Sequence, residues 1–157
     1  MLVEYGDYEC AYCAAAHPNV LLVQERYGLR LGFVFRHFPL TQIHPTAEAA
    51  AESAEFAAAH GVFWEMHDGI YENHDRFGPP LLFALAAALG LSEQALDEAL
   101  RRRQFAPKVR SDFLGGVRSG VNGTPSFFIN GERHDGSYAA DDLSAAIDMH
   151  LRTKARL

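Results

Sequence analysis

The sequence of 157 residues contains only two cysteines, and they stand three positions apart. A disulfide between two cysteines so close together would not cross-link distant parts of the chain, so the stability of the fold must come from an apolar core. A chain of this length with 48% hydrophobic residues can bury such a core in one soluble unit. Basic residues are also few: 14 lysines and arginines stand against 20 acidic residues, giving a net charge of −6. That balance argues against a nucleic-acid partner.

Long apolar runs are absent as well. The longest covers residues 81–91, well short of the roughly 20 residues that a helix needs to span a bilayer. No signal peptide is visible, because residues 2–5 already have the pattern of a short apolar strand. We therefore expect a cytoplasmic protein, a periplasmic or otherwise extracytoplasmic protein whose leader was removed, or a domain of a longer chain. Nothing in the sequence predicts the oligomeric state.

Both cysteines belong to the segment Cys10-Ala11-Tyr12-Cys13, between a predicted strand and a predicted helix over residues 14–26. A thiol at a helix N-terminus faces unpaired backbone N–H groups and the positive end of the helix dipole, which stabilise a thiolate. A thiolate is the nucleophile of disulfide exchange, and a second thiol three residues on can resolve the mixed disulfide. The motif indicates dithiol–disulfide redox chemistry.

Hydrophobic periodicity predicts the order βαβ, a helical block, then ββα. Residues 31–36 alternate as a strand buried mostly on both sides, in a right-handed parallel βαβ unit. From Pro45 to Gly120 the pattern predicts helices only, and the segment over residues 81–89 is apolar nearly all round, which predicts burial. In the last helix of this block, Val109, Phe113 and Val117 are expected to point inward.

The C-terminal part returns to sheet. Asn130-Gly131 separates two short strand patterns, which predicts a hairpin with a type I′ turn because both residues tolerate positive φ. A closing helix over residues 139–151 is expected to carry Leu143, Ile147 and Leu151 inward.

This order, with the cysteine pair after the first strand and Thr124-Pro125 before the hairpin, resembles the thioredoxin superfamily and, more narrowly, its DsbA-like branch. The matching stretches are residues 2–13, 35–40 and 120–131. The resemblance implies an α/β thioredoxin fold with a central mixed sheet and an inserted all-helical domain. We expect residues 1–44 and 105–157 to form the thioredoxin domain and residues 45–104 to form the helical insertion.

The resemblance also implies roles for five residues. Cys10 matches the exposed attacking cysteine, and Cys13 matches the more buried resolving one. Pro125 matches the cis-proline whose strand edge faces the cysteines, and Thr124 matches the residue whose backbone pairs with a bound substrate peptide. Glu4 matches the buried acid that helps to move the proton of the second thiol.

Other assignments come from position alone. Glu4 lies in an apolar strand and is either a solvent-facing residue or a buried acid; if it is buried it needs a partner, for which Arg36 on the neighbouring strand is the candidate. Tyr8 and Tyr12 flank the thiols and are expected at a rim that contacts substrate. His17, one helical turn beyond Cys13, is placed to touch the thiols.

Two departures from the family pattern matter. The strand that usually precedes the one at Leu2 is absent from this sequence, which predicts a bare sheet edge. The dipeptide Ala11-Tyr12 lacks both the proline and the histidine found in related motifs. Dithiol potentials run from roughly −270 to −120 mV, a span of about 7 kcal/mol that separates reductants from oxidants. The sequence therefore leaves the redox potential open.

The leading interpretation is a protein dithiol–disulfide oxidoreductase that acts on protein thiols or disulfides together with a redox partner. It needs no bound cofactor, because the electrons reside in two sulfurs, and no metal is expected. Similar domains also occur fused to bacterial sodium/proton antiporters, so a non-catalytic redox-sensing or regulatory domain of a larger protein is the alternative.

Three further readings remain open. A zinc site would combine the cysteines with His17, although structural zinc wants four ligands. Inert buried cysteines are disfavoured by the polar junction over residues 6–9, which we expect to be partly exposed. A glutathione-conjugating enzyme on the same broad fold would not need the second cysteine.

Overall fold

Four strands and seven α-helices make up residues 1–154, the part of the chain described by this computed structural model. The strands are β1 (Leu2–Gly6), β2 (Phe33–His37), β3 (Ser126–Ile129) and β4 (Glu132–His134). The helices are α1 (Ala11–Tyr27), α2 (Ala47–Ala59), α3 (Phe63–Glu72), α4 (Pro79–Ala88), α5 (Glu93–Arg101), α6 (Ala106–Arg118) and α7 (Ala140–Lys154). No helix in that range is both long and apolar enough to cross a membrane.

The four strands form one mixed sheet in the order β2-β1-β3-β4. β1 runs parallel to β2, with Leu2 opposite Phe33, and antiparallel to β3. The β3–β4 hairpin turns at Asn130 and Gly131, whose φ values of 50° and 88° are both positive, as the type I′ prediction required. Because β1 is central, the chain that leaves its C-terminal end passes directly into the interior.

Two large hydrophobic clusters pack against the sheet. One joins β1 and β3 to α1 and α7, through residues that include Leu2, Val20, Val23, Ile129 and Leu143. The other joins both cysteines and β2 to the helical segment α2–α5, through residues that include Phe35, Ala54, Met66, Ile70 and Leu82. The helices between β2 and β3 therefore pack directly against the segment that carries the cysteines.

Several burial predictions are wrong, for a common reason: the position of an element in the fold limits how much of it is covered. β2 is an edge strand, so Arg36 is exposed although the strand was expected to be buried on both sides. Helix α4 buries only the face that carries Leu81, Leu82 and Ala86, whereas its other alanines are exposed. Val117 and Leu151, expected to point inward, are 50% and 40% exposed.

Candidate active site

The two cysteines lie where β1 passes into α1. Cys10 is the N-cap residue, with φ −73° and ψ 121°, and the helix begins at Ala11. Cys13 is fully buried, whereas Cys10 keeps 5% of its surface exposed, so the attacking cysteine is less exposed than expected. The preceding junction is also less exposed than its polarity suggested, because Asp7 and Tyr8 are buried. Only a small part of Cys10 is therefore accessible from solvent.

The pKa of Cys10 is lowered to about 5. The largest cause is the hydrogen bond that the Cys13 thiol donates to the Cys10 sulfur; burial opposes it. The Thr124 side chain and the backbone N–H groups of Cys13 and Tyr12 add to the lowering. These donors favour the charged form, so Cys10 is a thiolate at neutral pH.

Cys13 has the opposite character. Burial raises the pKa of the Cys13 thiol above its ordinary value, and the hydrogen bond to Cys10 and the charges of Glu4 and Cys10 act in the same direction. Its sulfur also accepts a hydrogen bond from the backbone N–H of Asp7 at 3.5 Å. Cys13 therefore remains a thiol and donates a hydrogen bond to Cys10. The pair thus consists of one thiolate, Cys10, and one thiol, Cys13.

Glu4 is buried in β1, and its Oε1 has no hydrogen-bond partner within residues 1–154. Burial, and after it the charge of Cys10, raises the pKa of Glu4 to about 8. The expected partner Arg36 is wrong: its guanidinium lies 3.6 Å from Asp112. Register explains the error, because Arg36 pairs with Tyr5 and Glu4 with Phe35, and neighbours along a strand point to opposite faces.

The loop before β3 covers Cys10 from the other side. The Thr124–Pro125 peptide bond is cis. The Cys10 sulfur lies 3.6 Å from the carbonyl oxygen of Thr124, and the Ser126 hydroxyl donates to the carbonyl of Gly123 at 2.7 Å. The fold thus brings Cys10 and Cys13 together with the Thr124-Pro125 segment, which lies more than 100 residues further along the sequence.

The two tyrosines beside the thiols differ. Tyr12 is 68% exposed on the first turn of α1, beside Cys10. The rim position expected for Tyr8 is wrong, since its ring is buried against Phe35 and Tyr71 and its hydroxyl lies 2.9 Å from Nδ1 of His67. His17 points toward α3, where its ring contacts those of His67 and Tyr71.

The structure also bears on the hypothesis of a zinc site formed by the two cysteines and His17. Within the described part of the chain, the clusters of three or more side chains that are close enough to share a metal ion include neither Cys10 nor Cys13.

Asp7 and His44 form a part of the site that sequence reasoning missed. The buried carboxylate of Asp7 accepts the backbone N–H of Glu9 at 2.8 Å and of Leu40 at 2.9 Å, and lies 2.7 Å from Nδ1 of His44. The pKa of His44 is raised: burial acts downward, but the hydrogen bond and charge of Asp7, followed by the charge of Cys10, outweigh it. Asp7 therefore favours the charged form of His44, and the charge of Cys10 acts on this imidazole in the same direction.

The thiolate is directly testable by titration. We expect the far-ultraviolet thiolate absorbance of the reduced protein to rise with an apparent pKa of about 5. The Cys13→Ala variant loses the main donor, so its midpoint should move upward by at least about one pH unit. Cys10→Ser is the matched control and should show no transition in this range. A wild-type midpoint between about 8 and 9, the ordinary range of a free thiol, would contradict the assignment.

Comparisons with known proteins agree with the resemblance to the thioredoxin superfamily. A family model described as thioredoxin matches residues 1–149. The Na(+)/H(+) antiporter NhaA 1 of Salinispora arenicola is 44% identical over 147 residues, which cover 93% of this chain and 22% of the antiporter. NhaA 3 of Salinispora tropica is 43% identical over 156 residues, 99% of this chain and 24% of the antiporter. The chain thus spans about a quarter of the length of the curated relatives that it matches.

Solved structures confirm the predicted thioredoxin fold. Oxidised BdbD from Bacillus subtilis superposes with a TM-score of 0.82 at 22% identity, over 96% of this chain and 86% of that one. A thioredoxin-like oxidoreductase from Silicibacter pomeroyi DSS-3 gives 0.81 at 21% identity, with the same coverage of both chains. The α-DsbA1 protein of Wolbachia pipientis gives 0.78 at 21% identity, over 94% of this chain and 83% of that one.

Proposed function

The chain belongs to the thioredoxin family, and on that basis we propose that it is a protein dithiol–disulfide oxidoreductase. Cys10 forms the mixed disulfide with a protein substrate, and Cys13 resolves it. The observation that carries the proposal is the asymmetry of the two thiols: the pKa of Cys10 is lowered to about 5, and that of Cys13 is raised. Such a pair has one sulfur ready to attack and one that keeps its proton until it is needed.

In the reducing direction, the Cys10 thiolate attacks one sulfur of the substrate disulfide. A Cys10–substrate S–S bond forms, and the other substrate sulfur leaves as a thiolate. Cys13 then loses its proton and attacks the Cys10 sulfur, which releases the second substrate thiolate and leaves a Cys10–Cys13 disulfide. The two cysteines lose two electrons and the substrate gains them; the reverse sequence donates a disulfide to a dithiol.

Glu4 is suited to accept the proton of Cys13 at the resolving step. The negative charge of Cys10 is one of the two causes that raise the pKa of Glu4. That charge disappears when Cys10 enters the mixed disulfide, which removes the smaller of the two causes, while burial continues to raise the pKa of Glu4. The ionised carboxylate, which can act as a base, is then more favourable than it was beside the free thiolate.

Thr124, Pro125 and Tyr12 form the proposed binding edge for substrate. Proline has no N–H to close a strand ladder, so the Thr124 backbone beside it can pair with an extended guest chain. Cys10 is almost buried, and Tyr12 is exposed next to it. A segment of extended polypeptide carrying a cysteine fits this opening better than a folded surface does.

A regulatory domain is the second candidate, and the relatives favour it: this chain spans only about a quarter of each of the two Salinispora antiporters. In that function the Cys10–Cys13 pair would switch between dithiol and disulfide without turning over protein substrates. The two candidates differ in a measurable way, since only the oxidoreductase reduces insulin repeatedly in the presence of an excess of dithiol.

The mixed disulfide itself is the test of the proposed chemistry. Reduced Cys13→Ala protein mixed with oxidised glutathione should form one stable adduct on Cys10, because no second thiol remains to release it. Mass spectrometry of the intact protein and of its peptides identifies the adduct and its position. The wild-type protein is the control and should pass to the internal disulfide instead. The absence of any adduct on Cys10 would contradict the proposal.

A further inference from the structure

A second cluster of chemically active side chains lies between α1 and α3. It consists of His17 from α1 and of His67 and Asp68 from α3, each of which places one ligand atom within 4.8 Å of the other two. Both histidines are buried, and the Asp68 side chain is 38% exposed. The cluster therefore has two imidazoles in the protein interior and a carboxylate at its solvent side.

The polar atoms of this cluster are incompletely satisfied. Nε2 of His17 is buried and has no hydrogen-bond partner within residues 1–154. It lies 3.6 Å from Oδ1 of Asp68, too far for a good hydrogen bond. No lysine or arginine in the described chain forms an ion pair with Asp68. A buried ring nitrogen and an unneutralised carboxylate thus face the same point.

The distance between Nε2 of His17 and Oδ1 of Asp68 suits two ligands of one metal ion better than it suits a hydrogen bond. Zinc binds imidazole nitrogen and carboxylate oxygen at about 2.0–2.1 Å, which at the tetrahedral angle places neighbouring ligand atoms roughly 3.3–3.4 Å apart. The 3.6 Å between His17 and Asp68 is close to that value. Burial lowers the pKa of both His17 and His67, which keeps the imidazoles in the neutral form that binds metals.

Tyr8 gives His67 a hydrogen-bond partner on the side of the ring that faces away from the proposed metal ion. The Tyr8 hydroxyl lies 2.9 Å from Nδ1 of His67, which leaves Nε2 as the ligand atom. Ligating histidines usually hydrogen-bond through their other ring nitrogen, and this contact fixes the ring orientation. Burial, and after it the charges of Glu72 and Glu65, raises the pKa of Asp68, so these two acidic side chains add negative charge near it.

The other cluster of ligand-type side chains provides a contrast. His37, Glu55 and Asp112 also gather within the same distance limit. There, however, Nζ of Lys108 already lies 2.7 Å from Asp112 and 3.9 Å from Glu55. A lysine ammonium occupies the place that a cation would take, so that cluster is an ion-pair network.

We propose that His17, His67 and Asp68 bind one divalent transition-metal ion, for which Zn²⁺ is the best match, with a fourth position open on the solvent side. Two imidazoles and one carboxylate are a common three-ligand set for zinc. The ion would join α1, whose N-cap residue is Cys10, to α3 of the helical segment. Binding to the folded state alone stabilises the protein by mass action.

The test must exclude the cysteines, which are zinc ligands themselves. The protein is therefore oxidised so that Cys10 and Cys13 are joined, and is titrated with Zn²⁺ alone in a calorimeter. We expect one ion per chain and a higher midpoint of thermal unfolding. Co²⁺ in place of Zn²⁺ should give the visible bands of a tetrahedral nitrogen–oxygen site without a thiolate charge-transfer band.

Variants identify the ligands. Asp68→Asn keeps the size of a half-exposed side chain, so it should fold, and it should weaken Zn²⁺ binding at least about tenfold; Tyr8→Phe should weaken it roughly 10–100-fold through the outer contact. His17→Gln should abolish stoichiometric binding. His60→Gln and Asp75→Asn, exposed residues of the same types, are the matched controls and should bind as the wild type does.

Three outcomes would overturn the proposal. The oxidised wild-type protein could bind no Zn²⁺ in a one-to-one ratio. Binding could occur only in the reduced protein, which would assign it to the thiols. Asp68→Asn and His17→Gln could both bind as tightly as the two controls. None of these results would bear on the redox function of Cys10.

Discussion

Replacing Cys10 with serine is expected to lower the rate of insulin disulfide reduction by at least about 10³-fold. The lowered pKa makes Cys10 an anion at neutral pH, whereas a serine hydroxyl at the same place remains neutral and is a poor nucleophile toward sulfur. The buried Cys13, with its raised pKa, cannot take over the attack. The measurement is the turbidity of reduced insulin in the presence of an excess of dithiol.

The matched control for this substitution is Ala88→Ser, which places the same hydroxyl on an exposed position of α4. It should reduce insulin at the wild-type rate. Undiminished activity of Cys10→Ser would refute the oxidoreductase mechanism. A wild-type protein that forms the mixed disulfide but never turns over insulin would instead favour the regulatory function.

The Asp7→Ala variant is expected to lose about 3–5 kcal/mol of unfolding free energy, the range found when one partner of a buried charged network is removed. The Asp7 carboxylate is the acceptor for the backbone N–H groups of Glu9 and Leu40 and for His44. Without it, these part-buried donors lose their acceptor. Denaturation by urea measures the loss, and Asp135→Ala, at an exposed carboxylate, should stay within about 0.5 kcal/mol of the wild type.

The sign of the pH dependence follows from His44. Its pKa is raised in the folded protein by the hydrogen bond and charge of Asp7, against the effect of burial. A group with a raised folded pKa contributes stability fully below its ordinary pKa, about 6.5, and loses it as the pH rises through the folded value. The difference between wild type and Asp7→Ala should therefore be larger at pH 6 than at pH 9. An equal difference at both pH values would mean that only the backbone hydrogen bonds matter.

The local sequence pattern was sufficient to predict the strands, the hairpin and the position of the cysteine motif. Alternation and turn residues predicted the strands and the type I′ hairpin, and the spacing of Cys10 and Cys13 predicted thiols at a helix N-terminus. Whether Glu4 is buried was not decided by its apolar neighbours; the family resemblance favoured burial, and the structure places it inside.

Long-range relations could not be obtained in this way. The pairing of Glu4 with Arg36 failed because a strand pattern does not give the register between strands. Asp7 was missed because its partners Leu40 and His44 lie 33 and 37 residues away, across a crossover whose geometry only the fold defines. Val117 follows the helical period, yet its helix buries Val109, Asp112 and Gly116 and leaves Val117 outside. The division at residues 44 and 104 and the roles of the site residues stay predictions.

The hydrophobic cluster that contains both cysteines has a consequence for protein engineering. Cys13 and Phe35 share that cluster with Met66, Ile70 and Leu82 of the helical segment. Splicing β2 directly to α6, to make a shortened redox catalyst, would strip one wall from the interior that insulates the resolving sulfur. Water that entered there would reduce the desolvation that raises the pKa of Cys13 and keeps this thiol protonated. Trimming this chain to a minimal scaffold would therefore alter the acidity of its own reactive pair.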